Sequence, residues 1–247
     1  MPYQFTVSPD FGPNQLAGWH IFNTWLQRQL DTDIHFETYD SFEAQRQAID
    51  EDNVDIIYAN PYDASFLVRE KGFVAAATPQ KPDETTIAVL VDSPVQEIEA
   101  LTPGSKIAQT NDPDISMMGM LMLEPANLNA GNTTAIHQDS YIQVAKALIQ
   151  GKADIGFFLS EAFDELSSLV KSQLRPLVSS DIQIVSHALL IGPKLADRKE
   201  ELTNKLTSMD ADPQDKSLLQ SLGFEKWAPM DEDEMEFMID LIEALAA

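Results

Sequence analysis

The 247-residue chain carries 40 acidic against 16 basic residues, a formal net charge of −24, which argues against a nucleic-acid partner and disfavours an anionic membrane surface. It has no cysteine, so disulfides, thiolate metal sites and a cysteine nucleophile are excluded. With 44% hydrophobic and 23% charged residues, and no run near the roughly 18 apolar residues of a membrane span, it reads as globular, without membrane insertion, and large enough for one large domain or two small ones.

A strand is expected over about 3–8, where Tyr3, Phe5 and Val7 alternate. Because that pattern starts two residues after Met1, no signal peptide is expected; either the protein is cytoplasmic or a leader has been removed. The loop Pro9-Asp10-Phe11-Gly12-Pro13 follows. A helix is expected from about 14 to 30, with Leu16, Trp19, Ile21, Phe22, Leu26 and Leu30 on its apolar face. A strand over 34–39 leads into Asp40-Ser41-Phe42-Glu43, which reads as a capping box opening a helix to about Asp50. The next strand, 54–59, stops at Asn60-Pro61-Tyr62, because proline has no N–H for the ladder. Such alternation implies parallel strands covered by helices.

A second series begins with the apolar run 86–91 and a strand over 106–110. A Met-rich helix over 116–123, a strand over 134–137, a helix over 140–150 and a strand over 153–158 follow. Residues 182–191 read as one long strand, and the remainder as helices over about 193–208, 213–222 and 231–246. Residues 47–56 (QAIDEDNVDI) can be laid on 146–155 (KALIQGKADI), a weak internal repeat that suggests two similar α/β lobes, unless it reflects only the resemblance of αβ turns to one another.

Chemical motifs are few. There is no GxGxxG, Walker loop, HExxH or GxSxG, and His20, His35, His137 and His187 are scattered. No cofactor, metal or catalytic residue is therefore expected, and the chain is not read as an enzyme. Asp231-Glu232-Asp233-Glu234 reads as the acidic start of a helix. Met117, Met118, Met120 and Met122 read as packing rather than as a ligand box.

Polar and aromatic residues collect where strands end, and open α/β sheets bind ligands at the carboxyl ends of strands beside helix N-termini. The candidates are Asp10, Phe11, Tyr58, Asn60, Tyr62, Thr110, Asp112, Ser116, Asp139, Ser140 and Tyr141. The alternative for the Tyr58–Tyr62 corner is a turn whose tyrosines pack between helices.

Four stretches, Pro9-Asp10, VDIIYANPY (54–62), Asp112-Pro113-x-x-Ser116 and SYIQVAKALIQGKAD (140–154), together with the order of elements, resemble the phosphate/phosphonate-type substrate-binding proteins of ABC transporters. The resemblance implies a two-lobed type II periplasmic-binding-protein-like α/β fold. Each lobe would be a mostly parallel sheet flanked by helices, joined by crossover strands 86–91 and 182–191. Lobe 1 would comprise 1–85 and the helical part 190–247, and lobe 2 residues 86–189. It further implies a non-catalytic monomer that clamps a small-molecule ligand in one inter-lobe cavity, and an ABC permease or a sensor as partner. The place would be the periplasm if a leader has been removed; the alternative is a cytoplasmic sensing or interaction protein. The chain departs from the family pattern at the phosphonate-grasping loop, where only Ser116 remains of a hydroxyl-rich run, and at Tyr141, where the family has histidine. Asp112 and Asp114 add negative charge where an oxyanion would sit. A phosphonate-like ligand, a small polar or zwitterionic one, and no ligand are all open, with Trp19, Tyr58 and Tyr62 as a candidate cation–π wall.

Overall fold

The structure is a computed structural model that describes residues 2–11 and 13–246; Met1, Ala247 and the Gly12 of the expected loop lie outside the described residues. The chain starts β1 (Tyr3–Val7), α1 (Leu16–Leu30), β2 (Ile34–Phe36), α2 (Phe42–Asp50), β3 (Ile56–Ala59), α3 (Pro61–Arg69) and β4 (Val74–Pro79). It continues β5 (Thr85–Leu90), β6 (Lys106–Gln109), α4 (Pro113–Leu121), β7 (Thr134–His137), α5 (Tyr141–Ile149), β8 (Ile155–Leu159), α6 (Ser160–Asp164), α7 (Ser168–Lys171) and β9 (Leu174–Ser179). It closes β10 (Ala188–Ile191), α8 (Lys199–Thr207), α9 (Pro213–Leu222), β11 (Trp227–Ala228) and α10 (Glu232–Ala246). Two compact units result: residues 2–82 with Ser186–Ala244, and Asp83–Val185 with residues 245–246.

The first unit holds a six-stranded sheet in the order β11-β4-β10-β3-β1-β2. β1 lies parallel between β2 and β3, whereas β10 runs antiparallel to both β3 and β4. α1 buries Trp19, Phe22, Leu26 and Leu30, residues three or four apart, against Phe5, Val7, Ile56, Leu189 and Trp227. Ile21, expected on that face, is exposed. The second unit holds a five-stranded sheet, β7-β6-β8-β5-β9, with β6 parallel to β7 and β8, and β5 antiparallel to β8 and β9. Val144, Leu148, Phe158 and Phe163 pack with Ala88 and Ala108 in its core. Gly119 brings α4 close to β8: a Cβ there would lie 2.5–2.7 Å from the Phe157 ring.

Both sheets are thus mixed and not mostly parallel as expected: parallel where strand–helix alternation builds them, antiparallel where β5 and β10 enter and at the β4–β11 edge. Three strands escape the sequence pattern. β4 is built largely of alanine, a poor strand former, and earns its place by burial beside β10. β9 contains Pro176 and is tolerated because it is an edge strand, with a register shift beside it. β11 is only two residues long. The expected long strand 182–191 is shortened to Ala188–Ile191. Gln183 takes a left-handed conformation, φ 58°, and gives its N–H to Glu84 Oε1 at 2.8 Å, so this stretch leaves the ladder. The expected helix 193–208 is a tight turn, Pro193–Arg198, followed by α8. The box expected at Asp40 is replaced by a simple cap one residue later: Ser41 caps α2, its Oγ accepting from the N–H of Ala44 at 3.2 Å, and the third residue on is an alanine with no side chain to reach back. At α10 the acidic start is a reciprocal box, Asp231 Oδ1 accepting from the Glu234 N–H and Glu234 Oε2 from the Asp231 N–H. Of the methionine stripe, Met118 is fully buried and the others half-buried.

Candidate functional site

In the first unit, Val7 and Tyr58 are paired across β1 and β3, so Ser8 and Asn60 emerge side by side at the carboxyl ends of parallel strands. The Ser8 N–H donates to Tyr58 O at 2.8 Å, and Asn60 Nδ2 donates to Ser8 Oγ at 3.1 Å. Asn60 is fully buried and caps α3: its Oδ1 accepts from the Asp63 N–H at 2.8 Å, while Nδ2 also donates to Asp63 Oδ2. Pro61 occupies the first helical position, where a missing N–H costs nothing. The abrupt polar corner after β3 is therefore a helix start. Arg46 of α2 completes it by a forked bond to Asp63, 2.6 and 3.3 Å, and lies over the rings of Phe42 and Tyr62.

Beside this corner, Asp10 and His187 meet, Oδ2 to Nε2 at 3.0 Å. His187 directly precedes β10, whose first residue pairs with the last of β3, so the antiparallel return carries it to the carboxyl end of the parallel strands. The Thr78 hydroxyl donates to His187 O at 2.8 Å and bonds Ser186 Oγ, fixing that entry. The Tyr58 ring stacks on His187, centroids 5.0 Å apart, and lies 4.8 Å from Trp19. Burial works to raise the Asp10 pKa. Attraction to His187 and hydrogen bonds from His187 and Ser8 outweigh it, leaving the carboxyl below its ordinary value. Phe11 packs half-buried on the unit's core.

In the second unit the centre is Asp112, after β6. It is buried and caps α4, Oδ1 accepting from the N–H groups of Asp114 and Ile115 at 3.1 and 3.2 Å. Its Oδ2 accepts from the Tyr141 hydroxyl at 2.8 Å, which ties α4 to the start of α5. Thr110 Oγ1 accepts from the Asp112 N–H at 3.3 Å. Ser140 caps α5, its Oγ accepting from the Gln143 N–H. Ser116 lies half-buried in the first turn of α4, and Asp139 is exposed before α5.

The sequence matches the model of the family described as ABC transporter, phosphonate, periplasmic substrate-binding protein over residues 5–235. The chain belongs to that family. It is a solute-binding protein and not an enzyme. The family binds small molecules and works with an ABC permease, and no helix among the described residues is long and apolar enough to cross a membrane. Among solved structures it is similar to PhnD1 of Prochlorococcus marinus in complex with methylphosphonate (TM-score 0.82, 13% identity, covering 99% of this chain and 98% of that one). It is also similar to a binding protein component of an ABC phosphonate transporter from Pseudomonas aeruginosa (0.77, 16%, 100% and 89%). A third is the periplasmic aliphatic sulphonate binding protein SsuA of Escherichia coli (0.65, 14%, 98% and 87%). At these identities the likeness shows the fold: the type II periplasmic binding protein architecture of two α/β units. No curated protein matches.

Within this phosphonate-family chain, the structure gathers part of the expected set into one cluster in each unit. Asp10 and Tyr58 meet around His187, with Asn60 behind them as a cap. Thr110, Asp112, Ser140 and Tyr141 meet at the starts of α4 and α5. Tyr62 lies on α3 with Arg46 over its ring, and Trp19 is wholly in the core, so Trp19 presents no open face to a ligand. Sequence reasoning missed His187. Its signal was position, the last residue before a return strand, and not any motif. It also missed the hydroxyl group of Thr86, Ser160 and Ser179, where Thr86 Oγ1 lies 2.7 Å from Ser160 Oγ and 2.9 Å from Ser179 Oγ at the carboxyl end of β8.

Proposed function

We propose that this protein is the solute receptor of an ABC importer and works in the periplasm. Its ligand is a small polar or oxyanion-type solute, phosphonate-like or related. The observation that carries this reading is the repetition of one arrangement in both units: a parallel strand ends, a capped helix begins, and polar and aromatic side chains collect at that junction. The proposed ligand-binding residues are Asp10, Tyr58 and His187 of the first unit and Thr110, Asp112, Ser116, Ser140 and Tyr141 of the second. The solved relatives support the ligand class: one holds methylphosphonate, another is named for sulphonates. The cytoplasmic sensing alternative is not favoured by the family match.

A thermal-shift screen over phosphonates, sulfonates, phosphate, amino acids and quaternary amines tests it, followed by calorimetry on each hit. A true ligand at about 100 times Kd adds roughly 2.7 kcal/mol of stability and raises the melting temperature. If no solute of these classes shifts melting, the receptor reading fails.

A further inference from the structure

We propose that Asp112 is a built-in anion that bars a bare tetrahedral oxyanion from the start of α4 and turns this end of the second unit toward solutes presenting an N–H or ammonium donor. The inference rests on the receptor reading and narrows it. A helix N-terminus ordinarily receives anions because its first N–H groups have no intrahelical partner and the dipole favours negative charge. In α4, a nine-residue helix, those groups are all taken. The Asp112 N–H donates to Thr110 Oγ1, and Pro113 has no N–H. The N–H groups of Asp114 and Ile115 both donate to Asp112 Oδ1, and that of Ser116 to Asp112 O. The carboxylate that fills this place is not a loose surface group. It is 6% exposed, and the Tyr141 hydroxyl donates to its second oxygen, so two helices hold it in position.

Two consequences follow from elementary electrostatics. An incoming phosphate would find no vacant N–H in this turn and would meet a fixed negative charge. Like charges in contact repel more strongly at a partly buried place than in bulk water, because the effective dielectric is lower. A solute with a donor at the same position would instead meet an acceptor whose charge is partly buried, where hydrogen bonds to charged groups are strongest. Asp112 is thus a specificity-determining residue.

The test measures methylphosphonate and inorganic phosphate binding by calorimetry at neutral pH in wild type, Asp112→Gly and Asp112→Asn. Glycine vacates the cap at small cost to the helix, whereas asparagine keeps a capping oxygen and removes only the charge. Circular dichroism melting shows that each variant is folded. Wild type is expected to bind both probes no tighter than about 1 mM. Asp112→Gly should bind methylphosphonate at least about tenfold tighter, with Asp112→Asn between the two. Equal binding by wild type and both variants overturns the inference, and so does failure of folded Asp112→Gly to gain affinity. Neither result touches the receptor reading, which stands as long as any solute of the screen stabilises wild type.

Discussion

Asn60 satisfies three partners with one amide: Ser8 Oγ, Asp63 Oδ2 and the Asp63 N–H. Its side chain therefore joins β1 to the start of α3 and holds the corner on which Tyr58 depends. Asn60→Ala removes a cap and leaves buried groups without partners, and should cost about 2 kcal/mol. Urea denaturation reads this as a lowered midpoint with unchanged slope; an unchanged midpoint would show that the corner holds without the amide. Asp10 makes a different prediction. Its folded-state pKa lies below the unfolded value of about 3.9, so its contribution is fully present above that value and is lost as pH falls through the lowered pKa. Stability measured from pH 6 downward should fall less steeply below about pH 4 in Asp10→Asn than in wild type. Parallel curves would mean that the carboxylate gains nothing from His187.

At the scale of elements, the weak repeat in the sequence becomes a repeated hydrogen-bond pattern. Ser41 and Ser140 each cap a nine-residue helix, α2 and α5. Both helices end through a left-handed residue, Asp52 and Gly151, and the residues after them, Asn53 and Lys152, donate back to Ala48 O and Ala147 O. Asp55 then accepts from the Gln4 N–H at 2.9 Å, and Asp154 from the Lys106 N–H at 2.7 Å. Each aspartate thus pins the beginning of one parallel strand to its neighbour. Burial distinguishes the two: Asp55 is 6% exposed and also accepts from Lys194 Nζ, whereas Asp154 is exposed. Asp55→Ala should cost about 2 kcal/mol and Asp154→Ala about 1 kcal/mol or less. Denaturation of both variants checks the order, and a larger loss at Asp154 would refute it. Gly119→Ala should cost about 1–3 kcal/mol, because the added methyl group must displace the fully buried Phe157 ring or shift α4. If its melting temperature matches wild type, α4 and β8 have more room than this packing allows.

At the scale of the molecule, an excess of 24 negative charges opposes compaction, and its few cations are placed where acids converge. Arg69 of α3 reaches Glu236 at 3.0 Å, Asp240 at 2.6 Å and Glu243, all on α10, while Met235, Met238, Ile239 and Ile242 bury the other face of that helix. Arg69→Ala leaves three carboxylates facing one another across one helix surface. Its melting temperature should fall below wild type in low salt and recover much of the gap near 1 M NaCl, where the screening length is only about 3 Å. The same drop at both salt concentrations would assign Arg69 a packing role instead. Wild type itself should melt at higher temperature as salt is added, because its dominant long-range interaction is self-repulsion.

Much of what depends on neighbours within a turn or two was legible in the sequence. Period-two and period-3.6 patterning located β1, α1, α2, β3 and α5, whereas the Asn60-Pro61 corner does not read as the start of α3, and the Met-rich helix expected from 116 begins at Pro113. Strand–helix alternation, with four short motifs, was enough to reach the α/β architecture and the family. The tertiary structure decided what depends on residues far apart along the chain. Alanine-rich β4 and proline-bearing β9 are strands only because antiparallel neighbours bury or border them, which no local propensity records. His187 stands 177 positions from Asp10, and the antiparallel entry of β10 alone brings them together. Asp112 reads in the sequence as one acid among forty; its carboxylate becomes the anion of α4 because the first turn folds back onto it and α5 delivers Tyr141 from 29 residues away. Local sequence sets the elements because their hydrogen bonds close within a few residues, whereas the site is set by pairings that only a completed sheet can enforce.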